Sequence, residues 1–87
     1  MFHRNIDIEL EKIGFIRVPH IDGTVRYERK ERWGVHCLDL MHKINGDHII
    51  QSYQKGSEDG EGFVRMCGLS HKEAALALKK MKQLGWR

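Results

Sequence analysis

Hydrophobic positions near the start of the chain follow a helical spacing. Ile6, Leu10 and Ile13 lie at i, i+4 and i+7, which places them on one face of an α-helix. Asn5 is a suitable N-cap, and Gly14 stands where a helix C-terminus favours glycine. The pattern therefore predicts a short amphipathic helix before Gly14.

The next two segments alternate between apolar and polar residues, as half-buried strands do. Residues 15–20 and 24–30 flank Asp22-Gly23, a dipeptide typical of two-residue type I′ hairpin turns. Such a turn pairs Val18 with Tyr27 and separates an apolar face from a basic one. The apolar face comprises Ile16, Val18, Val25 and Tyr27, and the other face comprises Arg17, Arg26, Glu28 and Lys30.

A second hairpin is predicted where residues 35–43 and 48–54 flank Asn45-Gly46. Both of its faces are substantially apolar. Leu38, Leu40, Ile49 and Tyr53 share one face, and Val35, Cys37, Met41 and Ile50 share the other with Asp39 and Ser52. Either the hairpin is central with helices over one side, or its second face meets another chain. We favour the first explanation for Leu38 and Leu40, and a homodimer through this hairpin remains open for Val35 and Met41.

The residue pattern in the last third of the chain predicts a loop, a fifth strand and a helix. Residues 55–62 are rich in glycine and acidic side chains, and residues 63–69 form a strand with Val64 and Met66 on one side. Ser70-His-Lys-Glu73 is a capping box, from which a helix runs to about Leu84 and ends at Gly85, with Trp86 folding back. Its apolar arc comprises Ala74, Ala77, Leu78, Met81 and Leu84, and its polar arc comprises Lys72, Lys79, Lys80, Lys82 and Gln83.

These elements predict one small α+β domain over residues 1–87. We expect a short N-terminal helix, a four- to five-stranded antiparallel sheet built from two hairpins, and a C-terminal amphipathic helix packed on one sheet face. A composition of 40% hydrophobic and 31% charged residues is typical of globular proteins. With no apolar run of membrane-spanning length, no visible secretory signal and only two cysteines, the chain is expected to be cytoplasmic and without a membrane partner.

Charge is distributed unevenly along the chain. The formal net charge is +3. Residues 1–62 hold nine basic and eleven acidic side chains, a balance of −2, whereas residues 63–87 hold six basic side chains and one acidic one, a balance of +5. A local positive field of this kind favours an anionic partner, either nucleic acid or an acidic protein surface.

Catalysis and metal binding have weak support in the sequence. His36 and His42 fall on one predicted face but are separated by ~20 Å of strand, too far for one zinc ion. Cys67 and His71 form the sharpest nucleophilic pair, yet nothing nearby supplies an oxyanion hole or a substrate cleft. We therefore expect a protein that is not an enzyme and that uses no cofactor and no metal.

The segment from Gly68 to Gly85 follows an antiparallel sheet with a Ser-capped, alanine-rich, lysine-bearing helix. In that outline it is similar to the double-stranded-RNA-binding domain, a family in which lysines at the start of the final helix grip phosphates across a groove. The resemblance implies that Lys72 contacts a phosphate. His71 and Ala75 stand where the family pattern has further lysines.

The function we expect from the sequence is a non-catalytic binding module, of adaptor or inhibitor type, that occludes a protein partner with an acidic surface. Short single-domain chains of this kind are frequent among viral and mobile-element accessory proteins. The alternative is a binder of the RNA or DNA backbone. The predicted partner-binding residues are Arg17, Arg26, Arg29, Lys30, Arg32, Trp33, Lys72, Leu76, Lys79 and Lys82. Protein binding leads because helices over the Tyr27 face would leave the basic sheet face pointing away from the basic helix.

Overall fold

The computed structural model describes residues 5–20, 22–56 and 62–87. Within these ranges the chain forms two helices and, between them in sequence, five strands. The elements are α1 (Ile6–Lys12), β1 (Ile16–Val18), β2 (Val25–Glu31), β3 (Gly34–Met41), β4 (Ile49–Gly56), β5 (Phe63–Met66) and α2 (His71–Gln83). The strands form one antiparallel sheet in the order β1-β2-β3-β4-β5. The predicted α+β architecture is therefore confirmed.

Both helices begin and end as their sequences predict. The Asn5 side chain accepts a hydrogen bond from a backbone N–H of the first turn of α1. At the start of α2 the Ser70 Oγ accepts from the Glu73 N–H at 3.1 Å, and the Glu73 carboxylate accepts from the Ser70 N–H at 3.3 Å. Past α2, Gly85 has φ +78° and the Trp86 N–H donates to the Met81 carbonyl, which turns the tryptophan back toward the helix.

The hydrophobic core lies between the helices and one face of the sheet, here called the covered face. Its buried members are Ile6, Leu10, Phe15, Val25, Tyr27, Leu38, Leu40, Ala77 and Met81. Tyr27 is fully buried, and its hydroxyl donates to the Asp7 carboxylate of α1. This contact gives the one polar atom of a large core side chain a partner, and it ties α1 to the middle of β2.

Both predicted hairpins exist, but each predicted register is wrong by one residue. The structure pairs Arg17 with Tyr27 and Leu38 with Ser52. A type I′ turn needs positive φ at both central residues, yet Asp22 has no such φ and the corresponding asparagine has none either. Instead, each of these two side chains accepts a hydrogen bond from the N–H two residues further on, at 2.9 Å, within loops of six and seven residues.

Neighbouring residues of a strand point to opposite sides of the sheet. The shift of one residue therefore moves the residues of β1 and β4 to the face opposite the predicted one. Arg17 joins the covered face, so the predicted basic face of Arg17, Arg26 and Lys30 does not exist. The opposite face, here called the open face, is not overlaid by either described helix. It carries Ile16, Val18, Arg26, Glu28, Lys30, Val35, Cys37, Asp39, Met41, Ile49, Gln51, Tyr53, Lys55, Val64 and Met66.

The buried side of α2 differs from its predicted apolar arc. Leu78 is 60% exposed, whereas Leu76, which lies outside the predicted apolar arc, packs against the core. Glu73 and Lys80 are buried instead. The helix is turned toward these two charges because each has a partner inside: the Lys80 Nζ lies 3.0 Å from an Asp7 carboxylate oxygen, and Glu73 faces an arginine of β2.

The glycine-rich acidic loop predicted at residues 55–62 lies partly outside the described residues, and its first two members end β4. The fifth strand is confirmed with Val64 and Met66 on one side, but it ends at Met66 rather than Leu69. Among the described helices, none is long and apolar enough to cross a membrane.

Candidate functional site

The structure distributes the ten predicted partner-binding residues over four places. Arg17 and Arg29 lie on the covered side of the sheet, and Arg26 and Lys30 lie on the open face. Arg32 and Trp33 form the two-residue turn between β2 and β3. The remaining four, Lys72, Leu76, Lys79 and Lys82, belong to α2.

Arg26 is occupied by a carboxylate of its own sheet. Its Nε and Nη2 donate to the two carboxylate oxygens of Asp39 at 2.8 and 3.0 Å, a bidentate pair. The Tyr53 hydroxyl donates to the same carboxylate at 2.8 Å. Burial and the bond to this carboxylate both raise the pKa of Tyr53, so the hydroxyl keeps its proton. Arg26 is therefore a structural cation.

Arg29 is also committed within the fold. Its Nε donates to Glu31 at 2.7 Å, its guanidinium lies over the Phe15 ring at 4.6 Å, and Glu73 is 4.0 Å away. Its Nη2 faces the Nδ1 of His36 at 3.5 Å. Burial, and then the positive charge of Arg29, lower the pKa of His36 against the opposing effect of the two carboxylates. Arg29 thus supports the covered face and keeps a buried imidazole neutral.

The buried imidazole meets a serine, but with the wrong polarity for nucleophilic catalysis. His36 Nε2 lies 2.6 Å from the Ser52 Oγ. An arginine N–H can only donate, so Nδ1 is the acceptor and Nε2–H donates to the serine. A serine nucleophile needs the reverse arrangement, in which the ring accepts the hydroxyl proton. Ser52 is also buried.

Other chemistry-bearing side chains lie apart. The thiol of Cys37 is buried on the open face, and burial raises its pKa. Cys67 is half-buried beyond β5, and its N–H donates to the Ser52 carbonyl. Within the described ranges, no group of three or more His, Cys, Asp and Glu side chains is placed to hold a metal ion.

Two adjoining grooves flank α2 and contain the predicted helix residues. The first, about 480 Å³, lies between α1 and α2. Its lining comprises Glu9, Lys12, Ile13, Lys72, Ala75, Leu76 and Lys79. Leu76 and Ile13 are half-buried against the core, so they form an apolar floor below the three lysines. Lys12 is 3.6 Å from Glu9 within α1.

The second groove, about 590 Å³, lies between α2 and the loop that joins β3 to β4. Its apolar lining comprises Ile50, Leu78, Met81 and Trp86, and its polar lining comprises Asp47, His48, Lys79 and Lys82, with Gly46. The Trp86 ring is held by two imidazoles, His42 at 5.2 Å and His48 at 5.3 Å between ring centroids. Lys79 lines both grooves, so they form one surface, here called the α2 surface.

Sequence reasoning found the lysines of the α2 surface but missed most of its apolar part. Lys12 and Ile13 come from α1, and Ile50 comes from β4, so no spacing within α2 reveals them. Leu78 was predicted to lie in the core because the predicted polar arc of the helix put Lys80 in solvent. The C-cap sequence did signal Trp86, since a residue after Gly85 folds back onto the helix.

Comparison with models of protein families, with curated proteins and with solved structures found no match to this chain.

Proposed function

We propose that this chain is a non-catalytic binding module that docks an acidic segment of a protein partner on the α2 surface and thereby occludes it. The observation that carries the proposal is the conjunction, on one side of the molecule, of solvent-facing lysines and a partly exposed apolar floor. Localisation in the cytoplasm, where thiols stay reduced, is part of the same proposal.

The described cations differ in whether a carboxylate lies within ion-pair distance. On and around the sheet, Arg26, Arg29 and Lys55 each lie within 4.0 Å of a carboxylate, and so does the buried Lys80. By contrast, no described carboxylate forms an ion pair with the α2 lysines that face solvent, Lys72, Lys79 and Lys82. Lys72, Lys79 and Lys82 lie together on one side of this helix, so carboxylates of a partner would find three positive charges without a described carboxylate at one place.

The apolar floor of the α2 surface favours a protein partner over a nucleic-acid partner. Leu78 is 60% exposed on α2, beside Ile50, Met81 and Trp86 in the second groove. Burying such groups contributes about 25 cal/mol per Å², whereas a phosphate backbone offers them no apolar surface. An aromatic and aliphatic centre inside a charged rim is the arrangement found in protein interfaces.

The geometry also defines the chemistry of the partner. The two grooves join at Lys79, and each combines lysine ammonium groups with aliphatic floor residues. A matching segment presents leucine-like side chains three or four residues apart, flanked by glutamate or aspartate. Such a segment inserts its apolar side chains in the grooves and places its carboxylates against the lysines.

The test is fluorescence anisotropy of the purified chain with four labelled probes at ~50 and ~200 mM salt. The probes are an amphipathic Glu/Leu helical peptide, a polyglutamate of equal length, a duplex RNA and a duplex DNA. We expect the Glu/Leu peptide to bind more tightly than polyglutamate, because only the former fills the grooves. Tighter binding of either duplex, falling steeply with salt, would replace the proposal by the nucleic-acid alternative.

A charge-matched pair of variants locates the interaction. Replacing Lys72, Lys79 and Lys82 by glutamate should abolish peptide binding. Replacing three exposed cations elsewhere, Lys30, Arg32 and Lys43, by glutamate changes the net charge equally and should reduce binding only through long-range attraction. Equal losses in both variants, or no binding of the Glu/Leu peptide to the unmodified chain, would contradict the docking surface proposed here.

A further inference from the structure

We propose that the open face of the sheet is a homodimer interface, in which two copies pack face to face about a two-fold axis parallel to β3. The proposal is independent of the function proposed for the α2 surface, which lies on the opposite side of the sheet. It rests on the apolar residues of the open face, on their positions in the strand register, and on the pairing of its charges.

The open face exposes more apolar surface than a solvated sheet needs. Val64 is 71% exposed, Met66 61% and Ile16 51%. These residues lie on β5 and β1, the two edge strands, whereas the middle of the face is closed by its own side chains. Large exposed apolar groups that share one face mark an interaction site rather than chance exposure.

The charges of the open face are balanced within the face. Arg26 is bound by Asp39, and the Lys55 Nζ lies 3.4 Å from Glu28. Of the charged groups on this face, only Lys30 has no described carboxylate within ion-pair distance. The whole chain carries a net charge of +3, so two copies repel each other least where their charges are already paired.

The register gives the face self-complementarity. One row across the sheet contains, from β1 to β5, Ile16, Glu28, Cys37, Tyr53 and Met66. A two-fold axis along β3 keeps each row at its height and reverses its order. Met66 then faces Ile16 of the second copy, and the same contact forms again on the other side of the axis.

The charged strands meet both opposite and like charges in this arrangement. β2 lies against β4 of the second copy, so Glu28 is one row away from the Lys55 of that copy, as it is from its own. Lys30 shares a row with the same lysine, at the end of the face where both ammonium groups can reach solvent. Stacked sheets pack about 10 Å apart, a distance these side chains span.

The size of the face predicts a weak dimer. Five strands at ~4.8 Å spacing and ~20 Å in length bury roughly 500 Å² per copy, or roughly 1,000 Å² in total. That is just below the ~1,200–2,000 Å² of stable interfaces, so a weak, concentration-dependent dimer is expected. A dimer of this kind displays two α2 surfaces outward and allows bivalent binding.

Sedimentation velocity from ~5 to ~500 µM tests the interface, since a weak dimer forms only as the protein concentration rises. The weight-average mass should rise from 10.2 kDa toward twice that value. Met66→Lys should abolish the rise, whereas Ile44→Lys, at a fully exposed apolar position in the loop between β3 and β4, should leave it unchanged. A monomer at every concentration overturns the proposal, and so does a Met66→Lys protein that still dimerises.

A compensating pair tests the two-fold geometry. Ile16 and Met66 stand at opposite edges of the sheet, ~19 Å apart within one copy, so they cannot contact each other there. Ile16→Glu alone should weaken association. In the double variant Ile16→Glu, Met66→Lys, the glutamate of one copy faces the lysine of the other, and dimerisation should return. Failure of the double variant to recover overturns the face-to-face arrangement.

Discussion

The two faces of β3 bury their central residues in different ways. Leu38 points to the covered face and is buried by α1, α2 and the neighbouring strands, as a core residue usually is. Asp39, the next residue, points to the open face, yet it is buried almost as completely. There Arg26 and Tyr53 lie over it and use both oxygens of its carboxylate. A sheet face can therefore be closed either by another layer or by its own long side chains.

The comparison also shows that partners, rather than polarity, decide which residues are buried. The covered face contains His36 and Ser52, which bond to each other, and it receives Lys80 from α2, which pairs with Asp7. No buried side-chain nitrogen or oxygen among the described residues lacks a hydrogen-bond partner. An apolar residue such as Leu78 is meanwhile left in solvent.

The largest loss of stability is expected from a substitution on the covered face. Leu38→Ala removes a fully buried side chain between sheet and helices and should lower the free energy of unfolding by about 2–5 kcal/mol. Urea denaturation followed by circular dichroism measures the change. A loss below about 1 kcal/mol would mean that the helices pack loosely on the sheet, which contradicts the core described here.

A substitution at the centre of the open face should lower the free energy of unfolding nearly as much. Asp39→Ala leaves Arg26 and Tyr53 with unmet hydrogen-bonding groups and should lower the free energy of unfolding by about 2–4 kcal/mol, since losing one partner of a buried ion pair is strongly destabilising. Asp39→Asn keeps an acceptor and should cost less. If the alanine variant is as stable as the wild-type protein, the open face is not closed by this cluster.

Substitution of two neighbouring lysines tests which side of α2 faces the core. Lys80→Ala removes the buried partner of Asp7 and should lower the free energy of unfolding by about 1–2 kcal/mol. Lys79→Ala, at an exposed position, should change it by less than about 0.5 kcal/mol. Similar values for the two variants, from parallel urea titrations, would contradict the orientation of the helix.

The buried imidazole should make the covered face sensitive to acid. The pKa of His36 is lowered in the folded state from an ordinary value of 6.5, so below pH 6.5 the unfolded chain binds a proton that the folded chain does not. Stability is therefore full above pH 6.5 and falls as the pH drops through the folded-state pKa, by at most about 1.4 kcal/mol per pH unit for this group. Denaturation midpoints between pH 7.5 and ~5 should decrease more for the wild-type protein than for His36→Gln. Parallel profiles would show that another group is responsible.

The smallest loss of stability is expected from a substitution on the solvent-facing side of α2. Leu78→Ala should change the free energy of unfolding by less than about 0.5 kcal/mol, because the side chain is already mostly in water. The same variant should weaken binding of the Glu/Leu peptide, since it removes part of the floor of the second groove. A large loss of stability would instead restore Leu78 to the core and remove the apolar part of the α2 surface.

Local patterns in the chain were sufficient for the elements and their ends. Asn5 and Ser70 cap helices because their side chains reach backbone N–H groups within the next three residues, and Gly14 and Gly85 end them with positive φ. Alternation of apolar residues located the strands, and the short connections made the sheet antiparallel in chain order. The lysines of α2 that we assign to partner binding were also visible in the sequence.

The element order, the helix caps and the basic character of the last helix could be predicted from the chain alone, since each depends on contacts between near neighbours. The strand register, the side of α2 that faces inward and the composition of both candidate surfaces depend instead on contacts between distant segments. The Asx-Gly turns leave the register open by one residue, and packing of the sheet against the helices selects it. Lys80 and Glu73 turn inward because Asp7 and Arg29, distant in the chain, complete their ion pairs. A charge with its partner in place can be buried, and no pattern along one helix reveals that partner.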